Sequence, residues 1–485
     1  MKLSTSLANF KRLHKKKQNQ AIHFSQNCKE YIFVENIYKF ILSKKNSFIF
    51  ESVEKGAIRG RYTIIGFDPD RAYDIRKNKI IVDDFKKRKI IKKDVLKYLD
   101  DLFKNFKVKS ATKLPTMSSM LVGYFSYDII RLIEEIPDKC KDDIKIPDMR
   151  LMRPKNVIIY DNLKKKIFFV RNIFKEENIS DYELKYHSIK QTFAEFQHFG
   201  KIKLPENFHR RINNNKVRSN ISKAEFKKIV LKAKKYIKKG DIFQVVLSQR
   251  FESLIDKPPI EIYNSLRILN PSPFMFYFNY NDFQILGSSP EILVRLFNKK
   301  VTIRPIAGTR PRGKNKKEDK KLTSELLRDP KELAEHLMLL DLGRNDVGKV
   351  SKTNSVKVTE KFKVEKYSHV MHIVSNVVGK LKNNLSLFET FLSGFPAGTV
   401  SGAPKIRAME IIDELEKSKR KLYAGGIGYF TANQNFDTCI ALRTALIKNK
   451  KIYVQAGAGI VADSNPENEY KETLNKAKAL LKAIN

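Results

Sequence analysis

Two acidic stretches near the middle and the end of the chain place carboxylates at a spacing that could bind a metal ion. Glu332 and Glu335 are three residues apart in PKELAEHLMLLDLGRND, and Glu469 and Glu472 repeat that spacing in PENEYKETLNKAK. Residues three apart share one helix face, so each helix would offer two carboxylates on one side. Such an oxygen donor set suits a hard cation, and Mg²⁺ is the natural candidate. Spacing alone favours the plainer alternative of two solvated acidic faces, although such pairs are less expected by chance in a chain of net charge +42.

Other segments have features of an anion site. RPIAGTRPRG (304–313) contains three arginines, and QAGAGIVAD (455–463) concentrates small residues at the end of a predicted strand. Backbone N–H groups in such a run can approach a carboxylate closely, although a tight turn explains the run equally well. Arg443 interrupts the otherwise apolar CIALRTAL, which is predicted to be the preceding strand, and such a charge is costly unless it is paired or faces a cleft. FPAGTVSGAPKIRAME (395–410) leads into a helix N-terminus, with Lys405 and Arg407 in the first turn, and this setting suits an anion.

Two side chains could transfer protons. Glu291 in GSSPEILVR follows a proline at the end of a loop, a better position for a working acid than the middle of a strand. His372 lies in the strand-like run YSHVMHIVSNVVG, where a lone histidine is more often a core residue than a catalyst. Both interpretations stay open for His372.

The elements that would position these residues indicate an α/β chain of the α+β type. Short strands in the first third (SFIFESV, RYTIIGF, KIIVDDF, NVIIYD, KIFFVR) often follow one another without a crossover helix, which indicates antiparallel pairing. The chain turns polar around 175–220, and we place a boundary at RRINNNKVRSNIS (210–222). Ser222 is predicted to cap the next helix, which Gly240 would end. The strands DIFQVVLSQRF, PSPFMFYFNY, DFQILGSS and KVTIRPIAGT, the helix KELAEHLMLLDLGR and a final helix from about Pro466 follow.

The composition is that of a globular protein with an unusual charge. Hydrophobic residues make up 42% of 485 residues, and 95 Lys+Arg stand against 53 Asp+Glu. The lysines form scattered short clusters beside Ile and Asn, which indicates a compositional bias more than a nucleic-acid surface. No apolar run could span a bilayer, and the three cysteines form no CxxC pair. We expect a cytoplasmic protein with neither a nucleic-acid nor a membrane partner.

From the helix near 225 onward the sequence resembles the chorismate-utilising enzymes, and most closely the anthranilate synthase component I branch. Seven motifs occur in the family's order: SSPE (288–291), PIAGTRPRG (305–313), EHLMLLDLGRND (335–346), VMHIVSNVVG (370–379), FPAGTVSGAPKIRAMEII (395–412), YAGGIGYF (423–430) and QAGAGIVADSNPENEYKET (455–473). FESVEKG (50–56), RYTIIGFDP and NPSPFMFY (270–277) resemble its N-terminal lobe more loosely. The resemblance implies two packed antiparallel β-sheets with outer helices, a regulatory N-terminal lobe over 10–175 and a chorismate-binding catalytic domain over 220–480.

The resemblance also implies roles for individual residues. Glu335 and Glu472 would bind Mg²⁺, with Glu332 and Glu469 in support. Glu291 would be the general acid that protonates the departing C4 hydroxyl of chorismate, and His372 and Thr309 would complete the catalytic group. The implied substrate-binding residues are Gly308, Thr309, Tyr423, Arg443, Gly457, Ala458 and Gly459. The implied reaction converts chorismate and ammonia to anthranilate and pyruvate in tryptophan biosynthesis.

Two neutral residues distinguish this chain from related branches. Aminodeoxychorismate synthases resemble the 304–313 loop but have lysine where Ala307 stands, and a methyl group cannot act as that nucleophile. Isochorismate and salicylate synthases have a lysine base where Gln244 stands, and glutamine cannot deprotonate water. Together the two positions favour ammonia as the nucleophile and anthranilate as the product.

The resemblance further implies a partner and an inhibitor. No amidotransferase nucleophile motif is visible in the sequence, so a separate glutamine amidotransferase subunit (component II) would supply ammonia, in a heterotetramer. L-Tryptophan would inhibit through Glu51, Ser52, Pro273, Phe274 and Met275. The chain departs from the family here, because residues 48–50 are Phe-Ile-Phe where leucines are usual and Phe274 replaces a tyrosine.

Two alternatives remain at this point. The first is aminodeoxychorismate synthase, which Ala307 disfavours. The second is a polyanion-binding protein that has lost catalysis, which is disfavoured because every position implied to be catalytic holds a competent residue.

Overall fold

The computed structural model describes residues 2–42, 44–52, 60–201, 217–367 and 370–484. The first part of the chain contains four α-helices and nine strands among these residues. The helices are α1 (Leu7–Lys15), α2 (Tyr31–Leu42), α3 (Val95–Asn105) and α4 (Tyr182–Lys201). The strands are β1 (Gln20–Asn27), β2 (Ser47–Glu51), β3 (Tyr62–Arg76), β4 (Lys79–Asp83), β5 (Arg88–Ile91), β6 (Lys109–Ser110), β7 (Met120–Phe125), β8 (Met149–Asp161) and β9 (Lys166–Ile173).

The second part holds the remaining elements of the described chain. The helices are α5 (Lys223–Lys238), α6 (Pro259–Leu269), α7 (Lys316–Arg328), α8 (Pro330–Val350), α9 (Leu387–Leu392), α10 (Lys405–Leu415) and α11 (Pro466–Ile484). The strands are β10 (Arg218–Ser219), β11 (Gln244–Leu254), β12 (Phe274–Asn279), β13 (Gln284–Ser289), β14 (Ile292–Phe297), β15 (Lys300–Ile303), β16 (Ile306–Pro311), β17 (Lys357–Lys366), β18 (Val370–Lys380), β19 (Gly402–Ala403), β20 (Gly426–Thr431), β21 (Phe436–Ile440), β22 (Thr444–Lys448) and β23 (Lys451–Ile460).

The strands form two antiparallel sheets that start from the long pair β3–β8. One sheet continues from β3 through β2, β12, β13, β22 and β23 to β11. The other continues from β8 through β7, β20, β21 and β14 to β15, β18 and β17. The predicted antiparallel α+β fold is therefore confirmed, and the two expected sheets are continuous through the pair β3–β8. Because β2 pairs with β12 and β7 pairs with β20, the first part of the chain adds strands to both sheets.

The helices cover the outer faces of the sheets. The apolar sides of α2, α4, α6 and α11 share one core with the first sheet, and a second core includes residues of α3, α8 and α9. No helix in the described ranges is both long and apolar enough to cross a membrane.

Local signals in the sequence predicted the start and end of α5. The Ser222 hydroxyl accepts a hydrogen bond from the Glu225 N–H, and the Glu225 carboxylate accepts one from the Ser222 N–H, which is a capping box. Gly240 follows the helix with a φ of +83°, the left-handed conformation that glycine adopts without strain. The predicted boundary at 210–222 lies mostly outside the described residues, and the division into two domains stays a prediction.

The prediction of one strand over KVTIRPIAGT was wrong. β15 ends at Ile303 and β16 begins at Ile306, and both pair with β18. Pro305 has no N–H to donate to the sheet, and its carbonyl oxygen accepts a hydrogen bond from the Ser375 N–H at 3.2 Å. The proline therefore separates two strands that share one partner.

Candidate active site

The first acidic pair lies in the first two turns of α8. The Asp329 side chain caps this helix by accepting hydrogen bonds from the backbone N–H groups of Lys331 and Glu332. Glu335 is half-buried and accepts a hydrogen bond from Gln244 Nε2 at 3.2 Å. Burial raises the pKa of Glu335, and the charges of nearby glutamates add to that effect. Glu332 instead pairs with Arg310, at 2.8 Å.

The second acidic pair lies in the first two turns of α11, as predicted. Glu472 pairs with Lys476 at 2.7 Å, one turn further along the helix. Burial raises the pKa of Glu469, while a hydrogen bond from Ser464 opposes the shift and the charge of Glu472 adds to it. The charge of Glu472 also acts on Glu335 across the two helices. The two acidic pairs therefore interact electrostatically, although the Glu472 side chain itself is 46% exposed.

This donor set fits a divalent cation that binds oxygen. Glu335 and Glu472 come from separate helices, and the Glu472 charge disfavours the ionised forms of Glu335 and Glu469, so a cation between them would relieve that repulsion. Within the described part of the chain no three acidic, histidine or cysteine side chains form a ready-made metal cluster. The protein would thus contribute few direct ligands, which is usual for Mg²⁺.

Glu291 lies between β13 and β14 with only 6% of its surface exposed. Its Oε1 accepts a hydrogen bond from Thr399 Oγ1 at 3.1 Å, and its carboxylate also accepts one from the Ile306 N–H. Burial raises the pKa of Glu291 to about 8, although these two hydrogen bonds and the Lys476 charge favour the ionised form. A carboxyl group with this pKa is protonated at neutral pH and can donate a proton.

His372 lies on β18, directly opposite Thr309 of β16. Its Nδ1 is 2.9 Å from the Gly308 carbonyl oxygen and 3.1 Å from Thr309 Oγ1. A carbonyl can only accept, so Nδ1 carries the proton and Nε2 is left with a lone pair. Burial lowers the pKa of His372, which keeps the ring neutral. The structure therefore gives His372 an oriented, neutral ring and not the fully buried setting of a core histidine.

Gly308 allows this contact because of its backbone conformation. Its φ is +68°, and a Cβ at this position would lie 3.0 Å from Glu332 Oε2. The β16–β18 register shifts between Ala307 and Thr309, which is the irregularity that glycine accommodates. A glycine at this position lets β16 place Thr309 against His372 while α8 packs closely against the strand.

Arg443 is not on a strand, contrary to the prediction. It lies in the short connection between β21 and β22 with a φ of +47°. No carboxylate of the described residues pairs with its guanidinium, and burial lowers its pKa. An arginine in this state favours an anionic ligand, because a carboxylate would replace the lost hydration.

Ala456, Gly457, Ala458 and Gly459 of QAGAGIVAD lie inside β23 and not in a tight turn, whereas Ala462 lies in the turn that follows the strand. Gly457 pairs with Ser248 of β11, and its peptide group points away from that strand. The Gly457 N–H donates to the Tyr423 oxygen, and Lys476 Nζ donates to the Gly457 carbonyl at 3.0 Å. Antiparallel alternation gives Gly459 the same outward orientation. Ala458 pairs with Leu247 instead, and its methyl group packs in the core beneath α5 and α10.

The implied inhibitor residues lie along one cavity of about 1410 Å³ between the sheets. Ser52, Pro273 and Phe274 line it, and Ser52 Oγ is buried with no hydrogen-bond partner in the described residues. Met275 points into a core on the opposite face of β12. The Glu51 carboxylate binds side chains of α2 and α6, namely Tyr31, Tyr263 and Arg267 at 2.6–2.8 Å. Residues 53–56 of the FESVEKG motif lie outside the described residues.

The cations that the sequence suggested for an anion site form ion pairs with acidic residues of the protein. The three arginines of 304–313 form ion pairs within the protein: Arg304 with Glu360 and Glu365, Arg310 with Asp329 and Glu332, and Arg312 with Asp319. Lys405 pairs with Asp346, and Arg407 with Asp241 and Glu410. The sequence interpretation of these cations as ligand-binding groups was therefore wrong.

Sequence reasoning missed two members of the site. Lys476 contacts Glu472 and Gly457, and its charge acts on Glu291, Glu335 and His372. A signal was present, because Lys476 is four residues after Glu472 and so shares its helix face. Thr399 bonds to Glu291 across 108 positions of the sequence, and no local pattern predicts such a contact.

Comparisons with known proteins point to one family. A family model described as chorismate binding enzyme matches residues 45–482. Anthranilate synthase component 1 of Cereibacter sphaeroides is 45% identical, over 99% of this chain and 97% of that protein. The protein of the same name from Acetivibrio thermocellus is 46% identical, over 93% and 92% of the two chains. The crystal structure of anthranilate synthase component I from Streptococcus pneumoniae superposes with a TM-score of 0.78 at 38% identity, covering 88% of this chain and 94% of that one.

Proposed function

This chain belongs to the chorismate binding enzyme family, and from that membership we propose that it is an anthranilate synthase component I. The reaction would convert chorismate and ammonia to anthranilate and pyruvate, in tryptophan biosynthesis. The observation that carries the proposal is the neutral character of the two discriminating positions. Gln244 donates its amide N–H to Glu335, and Ala307 presents a methyl group between Ile306 and Gly308. Neither side chain can act as a covalent nucleophile or deprotonate water. Ammonia would be the nucleophile, because its attack requires neither of these functions.

The dianionic substrate would bind between two positive regions. Arg443, which has no partner in the described residues, and the outward N–H of Gly459 would hold one carboxylate, with Tyr423 beside them. Glu335 and Glu472 would hold Mg²⁺, and Glu332 and Glu469 would support them. When bound, the cation would supply positive charge to the other substrate carboxylate.

The protonation states of Glu291 and His372 would decide which of them donates a proton and which accepts one. The protonated Glu291 would donate to the C4 hydroxyl as that group leaves the ring and ammonia adds at C2. The Nε2 lone pair of His372 would accept a ring proton when pyruvate leaves and the ring becomes aromatic. Thr309 would hold the histidine ring in place through its hydroxyl.

The proposal extends to a partner and an inhibitor. A separate glutamine amidotransferase subunit would deliver ammonia, as the name component 1 of the relatives suggests. L-Tryptophan would bind in the cavity lined by Ser52, Pro273 and Phe274, where the Ser52 hydroxyl, which has no partner among the described residues, would bond to its polar end.

The test uses the purified chain with chorismate, Mg²⁺ and an ammonium salt at alkaline pH. Anthranilate is followed by fluorescence, and products are separated by chromatography. Anthranilate and pyruvate that disappear on addition of EDTA would support the proposal. 4-Amino-4-deoxychorismate as the end product would contradict it and favour aminodeoxychorismate synthase. If chorismate is not consumed, the assay is repeated with a glutaminase subunit and glutamine, and failure there would reject catalysis.

A further inference from the structure

Lys405 and Asp346 form a buried ion pair that the proposed chemistry does not use. Lys405 Nζ lies 2.6 Å from Asp346 Oδ2, and only 12% and 5% of the two side chains are exposed. Lys405 is the first residue of α10, and Asp346 is near the end of α8. Desolvating two charges costs so much that an apolar pair of similar size is often at least as stable. The pair therefore calls for an explanation other than stability.

The segment immediately before Lys405 contacts the acid of the site. This acid-support loop, residues 396–404, contains Thr399, whose hydroxyl donates to Glu291 Oε1 at 3.1 Å. Its far side lies on α8, where a Cβ on Gly398 would be 1.9 Å from Leu342 Cδ2. One loop thus lies between the helix that carries Glu335 and the carboxyl group of Glu291.

The other hydrogen bonds that the described residues make to the loop come from the opposite side. The Val246 N–H of β11 donates to the Ser401 carbonyl at 2.9 Å, and Arg420 Nη1 donates to the Val400 carbonyl at 2.8 Å. On the α8 side, the Lys405–Asp346 pair is the directional contact and Leu342 supplies only packing. Asp346 is eleven residues after Glu335 on the same helix, a separation of about 16 Å along its axis.

We propose that the Lys405–Asp346 pair is a positioning device that fixes the acid-support loop against α8 and so holds the Thr399 hydroxyl on Glu291. Lys405 touches neither substrate nor cofactor and acts only through the loop. The catalytic part of this inference rests on the proposed function, whereas the structural part does not.

The first test measures backbone hydrogen exchange in the loop by mass spectrometry. The double variant K405M/D346L removes both charges, keeps the net charge and replaces the pair with apolar side chains. The control variant R131M/D413L likewise removes both charges of a buried pair, in this case Arg131 and Asp413 at the other end of α10. In the double variant the amides of Val400 and Ser401, which bond to Ala397 and Gly398, should exchange roughly tenfold faster or more. In the control variant they should not. Unchanged exchange in the double variant would overturn the proposal, whether or not the protein makes anthranilate.

The second test follows the pH dependence of kcat. The groups that face Glu291 are the Thr399 hydroxyl, the Ile306 N–H and the Lys476 ammonium, and Lys405 is not among the charges that act on it. Loss of the donated hydrogen bond should move the alkaline limb of the profile to higher pH. T399V gives the reference shift, and K405M/D346L should reproduce it while the KM for chorismate changes less than kcat. A double variant with the wild-type profile and normal kcat would mean that the pair is only structural. A wild-type chain that makes no anthranilate would reject the proposed function. The exchange result alone would then decide whether the Lys405–Asp346 pair fixes the acid-support loop.

Discussion

At the scale of single residues, the burial of Glu291 links catalysis and stability. A carboxyl group with a pKa of about 8 in the folded protein titrates near 4.5 in the unfolded chain. The folded state therefore binds the proton more tightly. Its contribution to the free energy of unfolding is fully present below about pH 4.5 and is lost as pH rises through about 8.

This linkage makes E291Q a variant with opposite effects on rate and stability. Glutamine cannot donate a proton to the leaving hydroxyl, so kcat should fall roughly 10²–10⁴-fold. The same variant should unfold at a higher temperature than wild type above pH 8, because it avoids a buried negative charge. Calorimetry and initial rates across pH 5–10 measure both effects. A variant that loses activity without this pH-dependent gain in stability would contradict the protonated state of Glu291.

The two acidic helices offer a second comparison between residues. E335Q and E472Q should each remove most of the Mg²⁺-dependent turnover, because each would remove a ligand. E467Q is the matched control, since Glu467 lies on α11 as well but forms exposed ion pairs with Lys223 and Lys227. Titration of activity with Mg²⁺ distinguishes the variants. Equal Mg²⁺ dependence in E472Q and E467Q would reject the assignment of Glu472.

At the scale of elements, one buried ion pair joins several segments of the site. Arg420 pairs with Glu416, both at most 4% exposed, and also donates to the Val246 carbonyl of β11. Its guanidinium lies over the rings of Tyr127 and Tyr423, at 4.9 and 5.5 Å. Strand, loop and substrate-binding tyrosine are thus held by a single side chain.

Removing one partner of this pair should be much more damaging than removing both. R420M leaves the Glu416 charge buried and should cost about 3–5 kcal/mol, whereas R420M/E416L should recover much of that loss. An exposed pair such as Lys321–Glu325 should contribute less than about 0.5 kcal/mol by the same measurement. Urea unfolding monitored by circular dichroism gives the three values. A double variant no more stable than R420M would mean that packing around Arg420, and not charge, dominates.

The helices and strands also show which features of the fold and the site can be predicted from the sequence. The capping residues of α5 and the carboxylate spacing on α8 and α11 are local, and the structure places them as predicted. The contact from Thr399 to Glu291 and the positive φ of Arg443 depend on packing between distant segments, and no periodicity encodes them. The arginines and lysines of the two basic segments were misinterpreted for a related reason. The acidic residues that pair with them cannot be identified from a local motif.

At the scale of the whole molecule, the two parts of the chain are bound together by strand pairing. β2 pairs with β12 over Ser47–Glu51, and β7 pairs with β20 over Met120–Phe125. Each pair joins residues at least 224 positions apart, which the hydrophobic patterns of single strands cannot predict. The implied inhibitor cavity lies between these shared sheets, and its lining includes Pro290 and Ile292, which flank Glu291. A ligand in this cavity would contact the segment that carries Glu291.

This shared architecture predicts the behaviour of a divided chain. Fragments 1–201 and 217–485 expressed separately should aggregate, because each would expose the unpaired edges of strands that the other part normally covers. Expressed together they should associate and co-purify, since β2–β12 and β7–β20 can form between chains as well as within one. Size-exclusion chromatography of a tagged fragment, with and without its partner, measures this directly. The matched control carries Y277P on the second fragment, because Tyr277 lies opposite Ile49 and its N–H faces β2, so its loss should weaken association. A fragment 217–485 that is monomeric and unfolds cooperatively on its own would show instead that the catalytic part is an independent domain.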